Sequence, residues 1–127
     1  MSHTRIRAFN KHYFNRLVRR FAGVSRTPFA LIRHIGRRSG KPYETPIIVM
    51  PQGNGFVIAL TYGPEVDWYR NVQAAGEATL LWHNQEYALK QPEPIDITTG
   101  LSAFPTPFRQ ILGVLGTQHF VRMSYET

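Results

Sequence analysis

The chain of 127 residues contains no cysteine, which excludes disulfides, thiolate metal sites and cysteine nucleophiles. It also has no apolar run near the ~18 residues that cross a membrane. Arg5, Arg7 and Lys11 interrupt the region where a signal peptide needs its apolar segment. We therefore expect a cytoplasmic protein. The length suits one domain, and eight Phe, six Tyr and two Trp provide material for its core.

Acidic residues are missing from the first 43 positions. The first one is Glu44, whereas eleven of the fifteen Lys and Arg residues precede it. The net charge of +7 is thus concentrated at one end, which predicts an anionic partner there. Nucleic acid, an anionic membrane surface and a phosphorylated cofactor all qualify. Nucleic acid is the weakest of the three because no recognition motif accompanies the charge, and we expect none as a partner.

Signs of a hydrolytic or metal site are lacking as well. The five histidines show no i, i+4 pair around an acid and no ligand spacing. Ser39 has no nucleophile-elbow context. Glu65 and Asp67 are the only close carboxylate pair, and a solvated helix start explains them as well as acid–base chemistry does. We predict no metal and no catalytic side chain, and expect the protein to bind a reactive cofactor.

Hydrophobic spacing predicts a mainly β protein with flanking helices. Residues 4–22 have the pattern of an amphipathic basic helix, which either packs on its own domain or lies on a membrane surface. We place this helix in a segment 1–23 ahead of a β domain 24–127, the two forming one domain overall. Pro92 and Pro94 argue against a further central strand. Strands are predicted at 29–35, 43–50, 56–61, 78–82, 86–90 and 119–125, and helices at 66–75, 98–104 and 108–115.

A basic turn, Gly36-Arg37-Arg38-Ser39-Gly40-Lys41, lies between the first two predicted strands. Glycine permits positive φ and close approach of the backbone, free N–H groups point outward, and arginine offers a planar donor fork. The turn therefore suits phosphate or carboxylate. An ordinary hairpin turn in a basic region would have the same composition, and the residue types alone leave both interpretations open.

A second cluster follows the third strand and opens a helix, where N–H groups and the helix dipole attract anions. Trp68 and Tyr69 could stack on a planar ring, and Arg70 and Asn71 could hold its polar tail. Alternatively, Trp68 and Val72, four residues apart, are simply the buried face of the helix.

Together the two clusters carry a family resemblance. Gly36-Arg37-Arg38-Ser39-Gly40 with Thr45-Pro46, followed by Trp68-Tyr69-x-Asn71-Val72, resembles the deazaflavin-dependent nitroreductase family of F420H2-dependent reductases. That family belongs to the split β-barrel group related to flavin reductases and pyridoxamine phosphate oxidases. The match covers roughly residues 28–91 with motifs and the rest by layout. It implies a six-stranded antiparallel split β-barrel of the FMN-binding type with flanking helices.

The resemblance also implies a cofactor, coenzyme F420, a deazaflavin that delivers hydride; it is expected ahead of FMN. By position, the basic turn would hold the phosphate and acidic tail of the cofactor. The second and third strands would lie against its ring, and the helix that carries Trp68 and Asn71 would form the boundary of the site. Tyr62, where many members have a lysine or arginine, and Tyr125 are the candidates on the substrate side. The cofactor-binding candidates are Arg37, Arg38, Ser39 and Gly40, then Thr45, Pro46 and Ile47, then Ala59, Leu60 and Thr61, and finally Trp68 and Asn71.

The expected reaction is hydride transfer from F420H2 to a quinone-like or other unsaturated apolar substrate. Because some relatives are linked to fatty-acid binding, the alternative is a lipid-binding protein on the same fold without turnover. Phe104, Phe108 and Phe120 would then line an apolar barrel. A homodimer and a peripheral membrane contact through residues 4–22 stay open.

Overall fold

The computed structural model describes residues 28–125. The predicted helix at 4–22, its segment 1–23 and its membrane contact lie outside this range. The described chain is a seven-stranded, wholly antiparallel sheet in the order β5-β4-β1-β2-β3-β7-β6, with three helices. The elements are β1 (Phe29–Ile35), β2 (Pro42–Gln52), β3 (Gly55–Ala59), α1 (Asp67–Ala75), β4 (Ala78–Trp82), β5 (Gln85–Leu89), β6 (Glu93–Ile95), α2 (Ile97–Ser102), α3 (Phe108–Val114) and β7 (Phe120–Ser124).

The sheet curls back on itself into a half-barrel. The backbone N–H of Lys90 donates to the carbonyl of Ser124 at 2.8 Å, and Leu89 forms an isolated bridge with Tyr125. These contacts bring the end of β5, at one edge of the sheet, to the end of β7. The predicted mainly β fold with flanking helices is confirmed. No helix within residues 28–125 is long and apolar enough to cross a membrane.

The predicted number of strands, six, is wrong, because the sheet has a seventh strand, β6. This strand has three residues and pairs with β7 at the outer edge of the sheet. Pro94 lies in its middle and lacks a backbone N–H, which a central strand would need for its second neighbour. At an edge, only one side of the strand has to be hydrogen-bonded, so the proline is tolerated. A strand this short has too few residues to show a period of two.

Strand β3 separates two halves of the core. All five of its residues are buried, and successive side chains point to opposite faces. Phe56 and Ile58 join the larger cluster, which α1 covers, whereas Val57 and Ala59 join the smaller one under α2 and α3. The three phenylalanines of the lipid alternative belong to this smaller cluster and are buried, at 0%, 7% and 1% exposure for Phe104, Phe108 and Phe120.

Helix α1 ends at Gly76, whose φ of +75° lies in the left-handed region. The N–H of Gly76 donates to the carbonyl of Val72 at 2.8 Å and closes the last turn. Replacing Gly76 by alanine should cost about 1 kcal/mol in the free energy of unfolding, since a Cβ is strained at this φ. Urea denaturation measures this cost. Gln73→Ala, at an exposed position of the same helix, should change stability by less than about 0.5 kcal/mol, and an equal loss in both variants would contradict the explanation.

Candidate functional site

Two cavities adjoin where β1, β2 and β3 approach the start of α1. The first has a volume of about 600 Å³, and the second about 280 Å³. Thr45 and Trp68 line both, so they mark the junction. The first cavity is lined by His34, Gly36, Arg37, Arg38, Ser39, Tyr43, Glu44, Thr45, Asp67, Trp68 and Asn71. The second is lined by Phe29, Thr45, Pro46, Ile47, Ile48, Ala59, Leu60, Thr61, Tyr62, Gly63, Val66 and Trp68.

Arg37 ties the basic turn to α1. Its backbone N–H and its guanidinium Nη1 both donate to Asn71 Oδ1, at 3.0 and 2.7 Å. Nη2 forms an ion pair with Asp67 Oδ1 at 3.2 Å, and the Arg37 side chain is only 22% exposed. The guanidinium is thus largely committed within the protein, and its main effect is to hold the turn against the helix.

A second arginine is committed across the strands. Arg33 on β1 is directly opposite Glu44 on β2, and its Nε and Nη2 donate to Glu44 Oε2 at 3.1 and 3.0 Å. The Glu44 side chain is 2% exposed. Although Glu44 lines the first cavity, its charge is compensated by this pair, because close opposite charges cancel most of each other's field.

Among residues 28–125, Arg38 remains as the uncommitted cation that lines the first cavity. Within residues 28–125, neither its guanidinium nor its backbone N–H has a hydrogen-bonding partner, and the N–H of Ser39 has none either. Lys41 donates its backbone N–H to Ser39 Oγ at 3.2 Å and does not line the cavity. One guanidinium and two successive N–H groups are donors that an oxyanion can use together.

His34 and Asn71 form the buried floor of this cavity. Their exposures are 5% and 6%. Asn71 Nδ2 lies 3.1 Å from His34 Nδ1, and His34 Nε2 lies 2.9 Å from Thr45 Oγ1. The imidazole also stacks on the ring of Tyr43, with 5.7 Å between centroids. Burial lowers the pKa of His34 from 6.5 to about 4, against an opposing effect of the Asp67 carboxylate. The ring is therefore neutral at physiological pH.

This buried histidine should make stability depend on pH. In the unfolded chain His34 takes up a proton near pH 6.5, whereas in the folded protein it does so only near pH 4. Between these values the unfolded state binds more protons, so the free energy of unfolding should fall as the pH drops from 6.5 to 4, by about 3 kcal/mol. Urea denaturation at several pH values measures the slope. His34→Gln should flatten this part of the curve, and an unchanged slope would contradict the assignment.

The second cavity has the walls that a flat ring requires. Ile47, Ile48, Ala59 and Leu60 contribute apolar surface from β2 and from the end of β3. Gly63 has a φ of +88°, and nothing lies within 4 Å of the place where its Cβ would be. This absence of a side chain leaves room along that wall. Tyr62 borders the cavity and is 90% exposed.

The structure gathers most of the predicted cofactor residues around these two cavities. Gly40 lines neither; with a φ of +70° and an N–H that donates to the Gly36 carbonyl at 2.9 Å, it shapes the turn. On the substrate side, Tyr62 borders the second cavity, whereas Tyr125 lines neither and packs against Phe56 and Tyr87. Of the predicted cofactor residues, the first cavity is lined by Arg37, Arg38, Ser39 and Asn71, and the second by Pro46, Ile47, Ala59, Leu60 and Thr61. Both cavities are lined by Thr45 and Trp68.

Trp68 contributes both to the core and to the walls of the two cavities. Its ring is half-buried and packs against the larger core cluster, with Tyr69 edge-on at 5.8 Å between centroids. It also borders both cavities.

His34, Tyr43 and Asp67 line the first cavity but were not among the predicted site residues. A signal was present in the strand pattern. His34 is directly opposite Tyr43, and Thr45, two residues further along β2, shares their face of the sheet.

Solved structures with this fold include HutZ, the heme storage protein from Vibrio cholerae, with a TM-score of 0.62 and 9% identity over 90% of this chain and 91% of that chain. Atu2129 from Agrobacterium tumefaciens, a protein of unknown function, has a TM-score of 0.60 and 12% identity over 80% of this chain and 50% of that chain. An F420 reductase has a TM-score of 0.56 and 12% identity over 84% of this chain and 93% of that chain. At such identities the likeness establishes the split-barrel fold, as predicted.

Family membership follows from the sequence. No curated protein sequence is significantly similar to this chain. The sequence model of one family, F420H(2)-dependent quinone reductase, matches residues 5–90, which is more than half of the chain. The matched region includes the basic turn, both cavities and α1. The chain therefore belongs to the F420H(2)-dependent quinone reductase family.

Proposed function

We propose that this protein is an oxidoreductase that transfers hydride from reduced coenzyme F420 to a quinone-like or other unsaturated apolar substrate. The observation that carries the proposal is the junction of a basic and an apolar cavity at Thr45 and Trp68. A phosphorylated tail needs cations and N–H donors, whereas a flat ring needs apolar walls. A ligand that combines the two suits this pair of cavities better than a simple anion or a simple lipid.

The residues present fit such a cofactor. Arg38 and the N–H groups of Arg38 and Ser39 would hold the phosphate, because these residues line the first cavity and no group within residues 28–125 uses these donors. Ile47, Ala59 and Leu60 would lie against the ring in the second cavity. When bound, the deazaflavin supplies the hydride. No catalytic side chain is needed for that step.

The contribution of the protein is then orientation and exclusion of water. Arg37 fixes the turn relative to α1 through Asn71 and Asp67, so the phosphate donors have a defined place with respect to the ring cavity. Trp68 and Thr45 separate the basic compartment from the apolar one. Holding the ring and the substrate in a fixed relative position lowers the activation barrier of hydride transfer, because their translational and rotational entropy is lost on binding and not in the transition state.

Turnover with a model quinone tests the proposal. The wild-type protein is mixed with F420H2 and menadione, and the return of F420 absorbance or fluorescence is followed over time. Oxidation should depend on both protein and menadione and should saturate with each. Tight binding of F420 without menadione-dependent oxidation would contradict a role as a quinone reductase.

Tyr62 provides a test of the substrate side. Tyr62 is 90% exposed at the border of the second cavity, so Tyr62→Ala should leave stability unchanged. The KM for menadione should rise about threefold to tenfold, which corresponds to the free energy of one lost aromatic contact. The Kd for F420 should stay within about twofold. Steady-state kinetics at saturating F420H2 measure the effect. Glu65→Ala, at an exposed position that lines neither cavity, is the control, and equal changes in both variants would contradict a role for Tyr62.

A further inference from the structure

Thr45 occupies the place where the two cavities meet, and it is half-buried there. Within the described part of the chain, its hydroxyl has one side-chain hydrogen-bonding partner, His34 Nε2 at 2.9 Å. A hydroxyl can accept hydrogen bonds and can also donate one. Whether the hydroxyl donates to a ligand or accepts from it depends on which ring nitrogen of His34 carries the proton.

The surrounding donors decide that question. The backbone N–H and the guanidinium of Arg37 both approach Asn71 Oδ1, at 3.0 and 2.7 Å, and neither group can accept a hydrogen bond. The carbonyl end of the Asn71 amide must therefore face Arg37. Its NH2 end then faces His34 Nδ1 at 3.1 Å, so Nδ1 accepts. In a neutral ring the proton is then on Nε2, which donates to Thr45 Oγ1.

We propose that His34 is a positioning residue that makes the Thr45 hydroxyl a hydrogen-bond donor at the junction, so that the site selects a ligand with an acceptor atom, such as a ring carbonyl, in that place. Because Thr45 Oγ1 already accepts from His34, its own hydrogen is directed elsewhere. The identity of the ligand rests on the proposed function, since a deazaflavin carries carbonyl oxygens on the edge of its ring. Arg37, Asn71, His34 and Thr45 thus connect the phosphate donors to the ring cavity in one line of hydrogen bonds.

The tautomer of His34 can be measured without any cofactor. Nitrogen-15 NMR of the ring nitrogens in the apo-protein, assigned by the loss of signals in His34→Gln, should show protonated Nε2 and bare Nδ1 at pH 7. Asn71→Asp presents two acceptor oxygens and should move a proton onto Nδ1. Asp67, Arg37 and Tyr43 near the ring, and Arg38 and Glu44 in the lining of the same cavity, are the charged and titratable groups that residues 28–125 place there, and all are unchanged in this variant. A proton on Nδ1 in the wild type, or an Asn71→Asp spectrum identical to that of the wild type, would overturn the inference.

The donor role of Thr45 is tested by two substitutions of similar size. Thr45→Val removes the hydroxyl and should weaken F420 binding about threefold to tenfold, the effect of one neutral hydrogen bond. Thr45→Ser keeps the hydroxyl and should bind within about twofold of the wild type. Equal affinities of Val and Ser variants, with wild-type binding intact, would overturn the inference. If the wild type does not bind F420, the proposed function fails, while the tautomer still decides whether His34 has the positioning role.

Discussion

Replacing Arg38 by alanine is expected to weaken the binding of coenzyme F420 by about 1.5 to 3 kcal/mol, the range for a hydrogen bond to a charged group. This is a loss of about tenfold to more than a hundredfold in affinity. Arg33 is paired with Glu44, and Arg37 is bound to Asp67 and Asn71. Neither arginine can therefore readily replace the missing guanidinium. Fluorescence titration of F420 with the variant measures the loss.

Two controls separate this effect from a general loss of positive charge. Arg70→Ala removes an exposed cation of α1 that lines neither cavity, and F420 affinity should change by less than about twofold. A deazaflavin that lacks the phosphorylated tail should bind equally well to the wild type and to Arg38→Ala. If Arg38→Ala weakens the tail-less ring as much as F420, the basic turn acts by shaping the protein and does not hold the phosphate.

Replacing Asn71 by leucine should destabilise the protein by about 2 to 4 kcal/mol, the cost of leaving buried polar groups without partners. The substitution removes the acceptor for the backbone N–H and guanidinium of Arg37 and the donor for Nδ1 of His34. Leucine has the same number and branching of side-chain heavy atoms as asparagine, so the substitution leaves no cavity. Urea denaturation at pH 7 gives the free energy of unfolding.

Gln73→Leu is the control for this variant, because it introduces the same side chain at an exposed position of the same helix. Its effect should be below about 0.5 kcal/mol. Asn71→Leu should also lose F420 affinity, since the turn is no longer held against α1. A variant as stable as the wild type would show that the Arg37 and His34 contacts contribute nothing net to the fold.

Six of the seven strands of the half-barrel could be predicted because each of the six carries its own signal. The apolar runs in β1 and β2, and the hairpin turn at residues 83–85, are local properties, and His83 and Asn84 do adopt the positive φ of 51° and 64° of a tight hairpin. Strand β6 could not be predicted because it depends on its partner. Three residues around Pro94 form a strand only where β7 offers them a free edge.

The residues that line the two cavities could be predicted better than the contacts that each of them makes. Arg37 and Arg38 are adjacent and identical, and only the position of α1 shows that one holds the turn while the other remains available. His34 was overlooked because its role depends on Asn71, 37 residues away. Tyr125 has the residue type expected on the substrate side, but the curl of the sheet places it among Phe56 and Tyr87.

The most direct test of the central claim is equilibrium titration of coenzyme F420 with the wild-type protein at neutral pH, followed by the fluorescence of the deazaflavin. We expect saturable binding with one site per chain and a Kd in the micromolar range or below. F420 fluorescence that does not change, or that changes without saturation up to high micromolar protein, would contradict the assignment of the two adjoining cavities to this cofactor.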